Sequence, residues 1–270
     1  VEEEAMNEKK AIVFVLDDGY ADKALPAILD VWGFSGKKYP VYIMHGANLS
    51  QNPKFKIRKL ADTHGIDLRF YDISAKGAFL ESLTTQNHIS IIAYAKLLLG
   101  DLLWEGINFA YYFDADILVL RDLTELFAIE PEKAIAVVDH REPEQHLRLH
   151  GTKGRYINTG VIVANLPRWN SINAVEMFKE AIRTHSDKFM YNDQDVFAVA
   201  FDDENEELPI EYNFMMSTRA NPYIEDCEDK DWDPKKIDPA ILHFIGPTKP
   251  WGVNSHGKSH KMWRKRNSFI

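Results

Sequence analysis

The stretch Phe109-Ala-Tyr-Tyr-Phe-Asp-Ala-Asp-Ile-Leu-Val-Leu120 decides how this chain is read. An apolar, aromatic run of strand length stops at two aspartates one residue apart, then turns apolar again. In an extended strand, side chains at i and i+2 share a face. Asp114 and Asp116 therefore converge if the backbone stays extended, or share one turn if it bends. Two carboxylates at the end of a buried strand repel each other and are costly to take out of water. A divalent cation relieves both penalties. Hard ions such as Mg²⁺ and Mn²⁺ prefer carboxylate oxygens and can hold a diphosphate at the same time. Asp-x-Asp alone is a weak string, because Asp193-Gln-Asp195, Asp229-Lys-Asp231 and Asp231-Trp-Asp233 repeat it. An ordinary instance is a solvated turn or a helix cap. Only the pair at 114 and 116 is framed by apolar residues on both sides.

Outward from this stretch, strand-length apolar runs alternate with helical periodicity. Residues 11–16 form such a run, stopped by Asp17-Asp18-Gly19. Leu25, Ile28, Leu29 and Trp32 then fall at i, i+3, i+4 and i+7, one face of a helix. Residues 40–44 predict a second strand ended by His45-Gly46, residues 55–64 a helix stopped by Gly65, and residues 66–73 a third strand. Residues 89–99 predict a helix with Gly100 just past its end. Beyond Leu120, strands are predicted at 135–138, 161–164 and 240–244, and a helix at 171–184 with Val175, Phe178 and Ile182 on one side. Residues 202–207 and 225–239 are polar and predict surface loops. This alternation implies βαβ units, an α/β class and a mostly parallel sheet. Ligands of such sheets bind beyond the carboxyl ends of the strands. That rule places Asp17-Asp18 and Asp114-Ala-Asp116 at one rim.

The bulk numbers narrow the class. A length of 270 residues fits one large domain, with or without an appended subdomain. A formal net charge of −9 argues against general nucleic-acid binding. The charge is uneven: no Asp or Glu follows Asp238, whereas Lys249, Lys258, Lys261, Arg264, Lys265 and Arg266 do. Trp263 and Phe269 interleave with these cations, a composition that suits an anionic membrane surface. A single cysteine, Cys227, excludes an internal disulfide framework and fits a reducing compartment. No apolar run has the length of a membrane-spanning helix, and no signal peptide is evident. The expectation is a cytoplasmic protein, with a peripheral contact to the inner face of the cytoplasmic membrane through its tail. Val1-Glu-Glu-Glu-Ala5 precedes Met6, which reads as the natural initiator, with residues 1–5 a cloning remnant.

Three further segments carry chemistry. Asn158-Thr-Gly160 opens an apolar strand with a small polar side chain and a residue that permits close backbone approach. Tyr191-Asn-Asp-Gln-Asp-Val196 sets Asp193, Gln194 and Asp195 before a short apolar segment. Asp193 suits a helix cap, while Gln194 and Asp195 have no such simple role. His243-Phe-Ile-Gly-Pro-Thr-Lys-Pro-Trp251 ends a strand in a histidine and brings a lysine back near it through a Gly-Pro turn. Histidine can complete an Asp-Asp site and tilts the metal toward Mn²⁺ over Mg²⁺. Lysine supplies a point charge for phosphate.

Taken together, the chain resembles family 8 retaining glycosyltransferases, close to the bacterial lipooligosaccharide α-galactosyltransferases and related to glycogenin. The resemblance is carried by Ile12-Val-Phe-Val-Leu-Asp-Asp-Gly-Tyr20, His88-Ile-Ser-Ile-Ile-Ala-Tyr-Ala-Lys-Leu97, Tyr112-Phe-Asp-Ala-Asp-Ile-Leu-Val119, Asn158-Thr-Gly-Val161, Asp193-Gln-Asp195 and His243-Phe-Ile-Gly-Pro-Thr-Lys-Pro-Trp251. It implies a single Rossmann-like nucleotide-sugar-binding domain of glycosyltransferase A type over residues 6–252, followed by a basic aromatic tail at 253–270. It implies that Asp114, Asp116 and His243 ligate Mn²⁺, with Mg²⁺ a possible substitute, and that the ion grips the diphosphate of a UDP-sugar. Asp17 would face the uridine, and Gly246 and Lys249 the diphosphate. Asn158 and Gln194 would line the donor sugar, and Asp139 and Asp195 the sugar or acceptor side. Ala115 and Thr159, inside two matched segments, join the donor-binding set. Lys96 stands where the bacterial galactosyltransferases carry arginine, which keeps the charge and loses the bidentate fork. Gly19 replaces an asparagine common in those relatives.

The implied activity is transfer of galactose or glucose from a UDP-hexose to a glycan or glycolipid acceptor, such as lipopolysaccharide or capsular polysaccharide. Retention of configuration leaves two routes: double displacement through a carboxylate such as Asp195, or same-face attack with Gln194 stabilising a cation-like sugar. The second is favoured, because no second glycosidase-like carboxylate is evident. Loops at 141–155 and 221–238 would shape the acceptor site. Two readings compete. A sugar nucleotidyltransferase would show a Gly-rich phosphate segment after the first strand, where Asp17-Asp18-Gly19 would instead repel a triphosphate. A non-catalytic nucleotide-sugar-binding paralogue is the other, and an intact metal set argues against it.

Overall fold

The structure is a computed structural model that describes residues 10–77, 91–140, 156–216, 237–252 and 257–268. Its strands are β1 (Lys10–Val15), β2 (Val41–His45), β3 (Leu68–Asp72), β4 (Phe109–Phe113), β5 (Ile117–Val119), β6 (Ile135–Asp139), β7 (Ile157–Asn165), β8 (Asn205–Glu207), β9 (Phe214–Met215) and β10 (Ile241–His243). Seven make the main sheet, in the order β3-β2-β1-β4-β7-β6-β8, and β5-β10-β9 make a small second sheet. The main sheet is parallel from β3 to β4 and again between β6 and β8. Strand β7 alone runs antiparallel to both its neighbours, β4 and β6. The expected α/β class and mostly parallel mixed sheet are therefore present.

Buried residues line both faces of this sheet in two clusters. A strand covered on both faces needs no polar alternation, which is why β1, β4 and β7 read as near-continuous apolar runs. The helix Ala21–Phe34 packs through a stripe of small residues, with Ala21, Ala24, Ala27, Ile28 and Val31 buried. The periodicity had pointed to Leu25 and Leu29, which are only partly buried. Alanines admit the closer approach of helix to sheet, so they take the contact face. The helix Gln51–His64 ends as expected at Gly65, whose φ is +73°.

Three expectations are corrected. Gly100 does not end a helix, because the segment Ile91–Glu105 continues through it with 3₁₀ hydrogen bonding. The residue past its end is Gly106, at φ +81°. A Cβ on Gly100 would lie 2.6 Å from Cδ1 of Trp169, so close packing requires the glycine there. The polar stretch 202–207 includes an edge strand, since Asn205–Glu207 pairs in parallel with β6. The tail contains a docked helix, Lys258–Asn267. Its Trp263 is buried beside Trp251, ring centroids 5.5 Å apart, and Arg266 pairs with Asp30 at 3.0 Å. Trp263 is therefore unavailable as a membrane anchor; Phe269 and the loops at 141–155 and 221–236 lie outside the described residues.

Trp169 sits in a cluster with Phe178, Phe197 and Phe201, at centroid distances of 5.0–5.7 Å, so its ring cannot retreat from position 100. Gly100→Ala is expected to cost about 1–3 kcal/mol through overpacking, whereas an unhindered helical Gly→Ala gains roughly 0.5–1 kcal/mol. Urea denaturation decides between them; a raised midpoint would show that the ring yields.

Candidate functional site

The fold brings two kinds of strand end to one place. Strands β1, β4 and β6 finish at the same edge of the sheet, and β7, running the other way, begins there. A cavity of about 830 Å³ opens at this edge. Asp17, Lys96, Asp114, Ala115, Asp116, Asn158, Thr159, Gln194, His243, Gly246 and Lys249 all line it. These residues are far apart in the chain, and the parallel crossovers are what gather them.

The Asp-x-Asp segment is the hinge between the two sheets. Strand β4 ends at Phe113, β5 begins at Ile117, and the three residues between them turn. The Asp114 amide donates to the Gly160 carbonyl at 2.8 Å, and the Phe244 amide to the Asp116 carbonyl at 3.0 Å. The backbone of this turn is thus clamped by β7 on one side and by the end of β10 on the other. Pairing of β10 with β5 puts His243 opposite Ile117. His243 Nε2 then lies 3.6 Å from Asp114 Oδ2 and 3.4 Å from Asp116 Oδ1. One ligand atom from each of the three residues falls within 4.8 Å of the others. Two carboxylates and one imidazole suit a divalent ion of Mn²⁺ type.

Each carboxylate also meets a lysine. The Lys96 ammonium is buried, 3.3 Å from Asp114, 2.9 Å from Asp193 and 3.3 Å from the Thr159 carbonyl. Burial alone would lower its pKa, but Asp114 and then Asp193 outweigh burial and hold it well above the ordinary lysine value. The Tyr112 hydroxyl donates to Asp114 as well. Lys249 pairs with Asp116 and donates to the Phe244 carbonyl at 2.9 Å. Burial would raise the Asp116 pKa, but His243 and then Lys249 outweigh it and hold the carboxyl below its ordinary range. Asp193 opens the helix Asp193–Ala200 without capping it. Its carboxylate serves Lys96 and accepts from the Thr159 hydroxyl at 3.2 Å.

Two predicted residues sit elsewhere. Asp195 is fully buried and does not line the cavity. Its carboxylate accepts from the Tyr156 hydroxyl and from the backbone amides of Met190 and Tyr191. It shapes the turn that presents Gln194. Asp139 is likewise outside the lining, and the next residue, His140, is in it. Neighbouring positions at a strand end face opposite ways, and the cavity takes the histidine. His140, Tyr20 and His260 of the tail helix line the cavity without having been foreseen. Tyr20 carried a signal, an aromatic residue immediately after the predicted acidic strand end. Asn213 was also missed. It is fully buried, and its carbonyl oxygen receives the His243 Nδ1 hydrogen at 2.9 Å. A single Asn between Tyr212 and Phe214 gives no sequence signal of this kind.

Comparison with known proteins agrees with this geometry. The family model described as Glycosyl transferase family 8 matches residues 11–255. General stress protein A of Bacillus subtilis (strain 168) is 26% identical over 228 residues, covering 81% of this chain and 78% of that protein. The lipopolysaccharide 1,2-glucosyltransferase of Escherichia coli (strain K12) is 28% identical over 205 residues. That match covers 73% of this chain and 59% of the enzyme, so the chain spans about three fifths of that relative's length. The crystal structure of galactosyltransferase LgtC with donor and acceptor sugar analogues shares the fold. Its TM-score is 0.79 at 22% identity, with 96% of each chain covered.

Gly160 is the tightest packing point of the site. A Cβ there would fall 2.0 Å from Cε1 of His243, so Gly160→Ala must displace the ring. The expected outcome is a loss of about 1–3 kcal/mol of stability, together with a shift of the His243 ring resonances in NMR spectra. Unchanged resonances and an unchanged unfolding midpoint would mean that the ring does not depend on the glycine.

Proposed function

The chain belongs to glycosyl transferase family 8, and from that premise we propose that it moves galactose or glucose from a UDP-sugar to a glycan acceptor, with retention at the anomeric carbon and with Mn²⁺ as cofactor. The observation that carries this reading is the convergence of Asp114, Asp116 and His243 on one point of the cavity, with Lys249 beside them. Those three residues would hold the ion, which when bound supplies a Lewis acid for the leaving diphosphate. Lys249, on a loop turned by Gly246 at φ +78°, adds a positive charge where negative charge grows. Asp17 and the half-exposed ring of Tyr20 line the cavity at the end of β1 and offer a polar and a flat surface for the base. Asn158, Thr159, Lys96 and Ala115 would bound the donor sugar.

The chemistry follows from charge. The bond from the anomeric carbon to the diphosphate oxygen breaks with its electron pair on the diphosphate, leaving positive charge on the sugar ring. The acceptor hydroxyl attacks from the same face, and its proton passes to the departing phosphate oxygen. The placement of Asp195 favours this route over double displacement, since its carboxylate is turned away from the cavity and held by Tyr156 and two backbone amides. Gln194 contributes a neutral dipole on the sugar side.

The acceptor class proposed is lipopolysaccharide or a capsular glycan, supported by the substrate named for the Escherichia coli relative. Among the described residues, no helix is long and apolar enough to cross a membrane. Lys258, Lys261, Arg264 and Lys265 are exposed on the tail helix. They would favour an anionic surface by roughly 1 kcal/mol each near the lipid, a peripheral contact that rests on charge alone.

Two measurements test the reading. Asp116→Asn is expected to abolish Mn²⁺-dependent binding of UDP in calorimetry, and undiminished affinity would remove the metal assignment. A panel of UDP-sugars incubated with Mn²⁺ is expected to release UDP slowly without acceptor, fastest for UDP-galactose or UDP-glucose. Release of diphosphate from UTP instead would favour a nucleotidyltransferase.

A further inference from the structure

Four buried side chains link the candidate metal histidine to the far side of the cavity by one run of hydrogen bonds. His243 Nδ1 meets Asn213 Oδ1 at 2.9 Å, and Asn213 Nδ2 meets Asn158 Oδ1 at 2.7 Å. Asn158 Nδ2 meets Gln194 Oε1 at 3.0 Å, and Gln194 Nε2 meets His140 Nδ1 at 3.2 Å. All five residues are at most 8% exposed, so an amide turned the wrong way would leave donor facing donor where water cannot help.

The direction of this run has a single origin. The backbone amide of Gly160 donates to Asn158 Oδ1 at 3.0 Å, and a backbone N–H can only donate. Asn158 must therefore keep its oxygen toward Gly160 and Asn213 and turn its NH₂ toward Gln194. On one side, Gln194 must then present its oxygen to Asn158 and its NH₂ to His140. On the other, Asn213 must donate to Asn158, which leaves its own oxygen for His243. His243 therefore carries a proton on Nδ1, and Nε2 is the nitrogen that faces Asp114 and Asp116.

We propose that Asn213 is a positioning residue: it holds His243 in the tautomer that can ligate a cation, and through Asn158 it sets which end of the Gln194 amide faces each neighbour. Asn213 itself is absent from the cavity lining, so it acts only through the groups it orients. The cation half of the inference rests on reading Asp114, Asp116 and His243 as a metal site.

Two variants separate the two arms. Asn213→Leu keeps the volume and removes both bonds. Asn213→Asp still accepts from His243 but cannot donate to Asn158. In ¹⁵N spectra of metal-free wild-type protein, His243 is expected to carry a proton on Nδ1, and His140 to carry its proton on Nε2. Asn213→Asp should keep the His243 form and hold Mn²⁺ affinity in calorimetry within about threefold, as carboxylate partners of metal-bound histidines do. It should nevertheless shift the Gln194 side-chain amide signals and lower kcat for UDP-sugar hydrolysis by tenfold or more. Asn213→Leu should leave Nδ1 of His243 only partly protonated and weaken Mn²⁺ binding about 10- to 100-fold. If the leucine variant does not fold, the aspartate variant still decides. A His243 Nδ1 that carries no proton in the wild type overturns the proposal, as do wild-type Gln194 signals and kcat in Asn213→Asp. Wild-type protein that fails to bind Mn²⁺ would remove the metal reading alone, because the tautomer and amide signals are read without metal.

Discussion

The amino end of β7 lies wedged between the carboxyl ends of β4 and β6, and the polar architecture of the cavity is built on that placement. Because β7 runs against its neighbours, residues that open a strand meet residues that close two others. Asn158, Thr159 and Gly160 are thereby set between Asp114 on one side and Gln194 on the other. Gly160 does two things in this position. Its missing side chain leaves room for the His243 ring, and its amide fixes the direction of the Asn158 side chain.

The second consequence concerns charge. Asp114, Asp116 and Asp193 are drawn together near the end of β4, an arrangement that costs free energy unless cations answer it. Lys96 answers for Asp114 and Asp193 from a buried helix, and Lys249 answers for Asp116 from a loop. The two lysines differ in what they can do afterwards. Lys96 is enclosed and tied to three acceptors, so it is a fixed part of the floor. Lys249 is partly exposed on a turn and can follow a negatively charged ligand. The cavity thus has two kinds of positive charge, one enclosed that holds the carboxylates in place and one partly exposed beside them.

The tail helix completes the wall. Trp251 packs edge-on against Tyr20 and beside Trp263, so the end of the loop that carries Lys249 is fixed by the segment that follows it. His260 reaches the cavity from the same helix and packs against Phe244, the residue after His243. The chain's last described segment is thus part of the site, although its composition had suggested a surface-seeking tail. Amphipathic composition does not say which surface an aromatic residue will find, and here the nearest one was the protein's own.

What the sequence alone determined was the local chemistry and the class of the fold. Apolar runs alternating with helical periods required βαβ units, and the rule for parallel sheets put Asp17 and Asp114 at one edge. The Asp-x-Asp pair stood out because its flanks were buried strands. The strand through residues 161–164 was legible, but its antiparallel direction was not, since buried strands of either direction have the same apolar pattern. Side-chain parity at a strand end decided between Asp139 and His140, and that parity depends on register across the sheet. Asp195 looked available in the sequence and is spent on the turn beneath Gln194. Asn213 looked like any polar residue and is the buried partner of His243. Only the tertiary structure settles such cases: a polar group's role is set by which partners burial leaves it, and those partners come from distant parts of the chain.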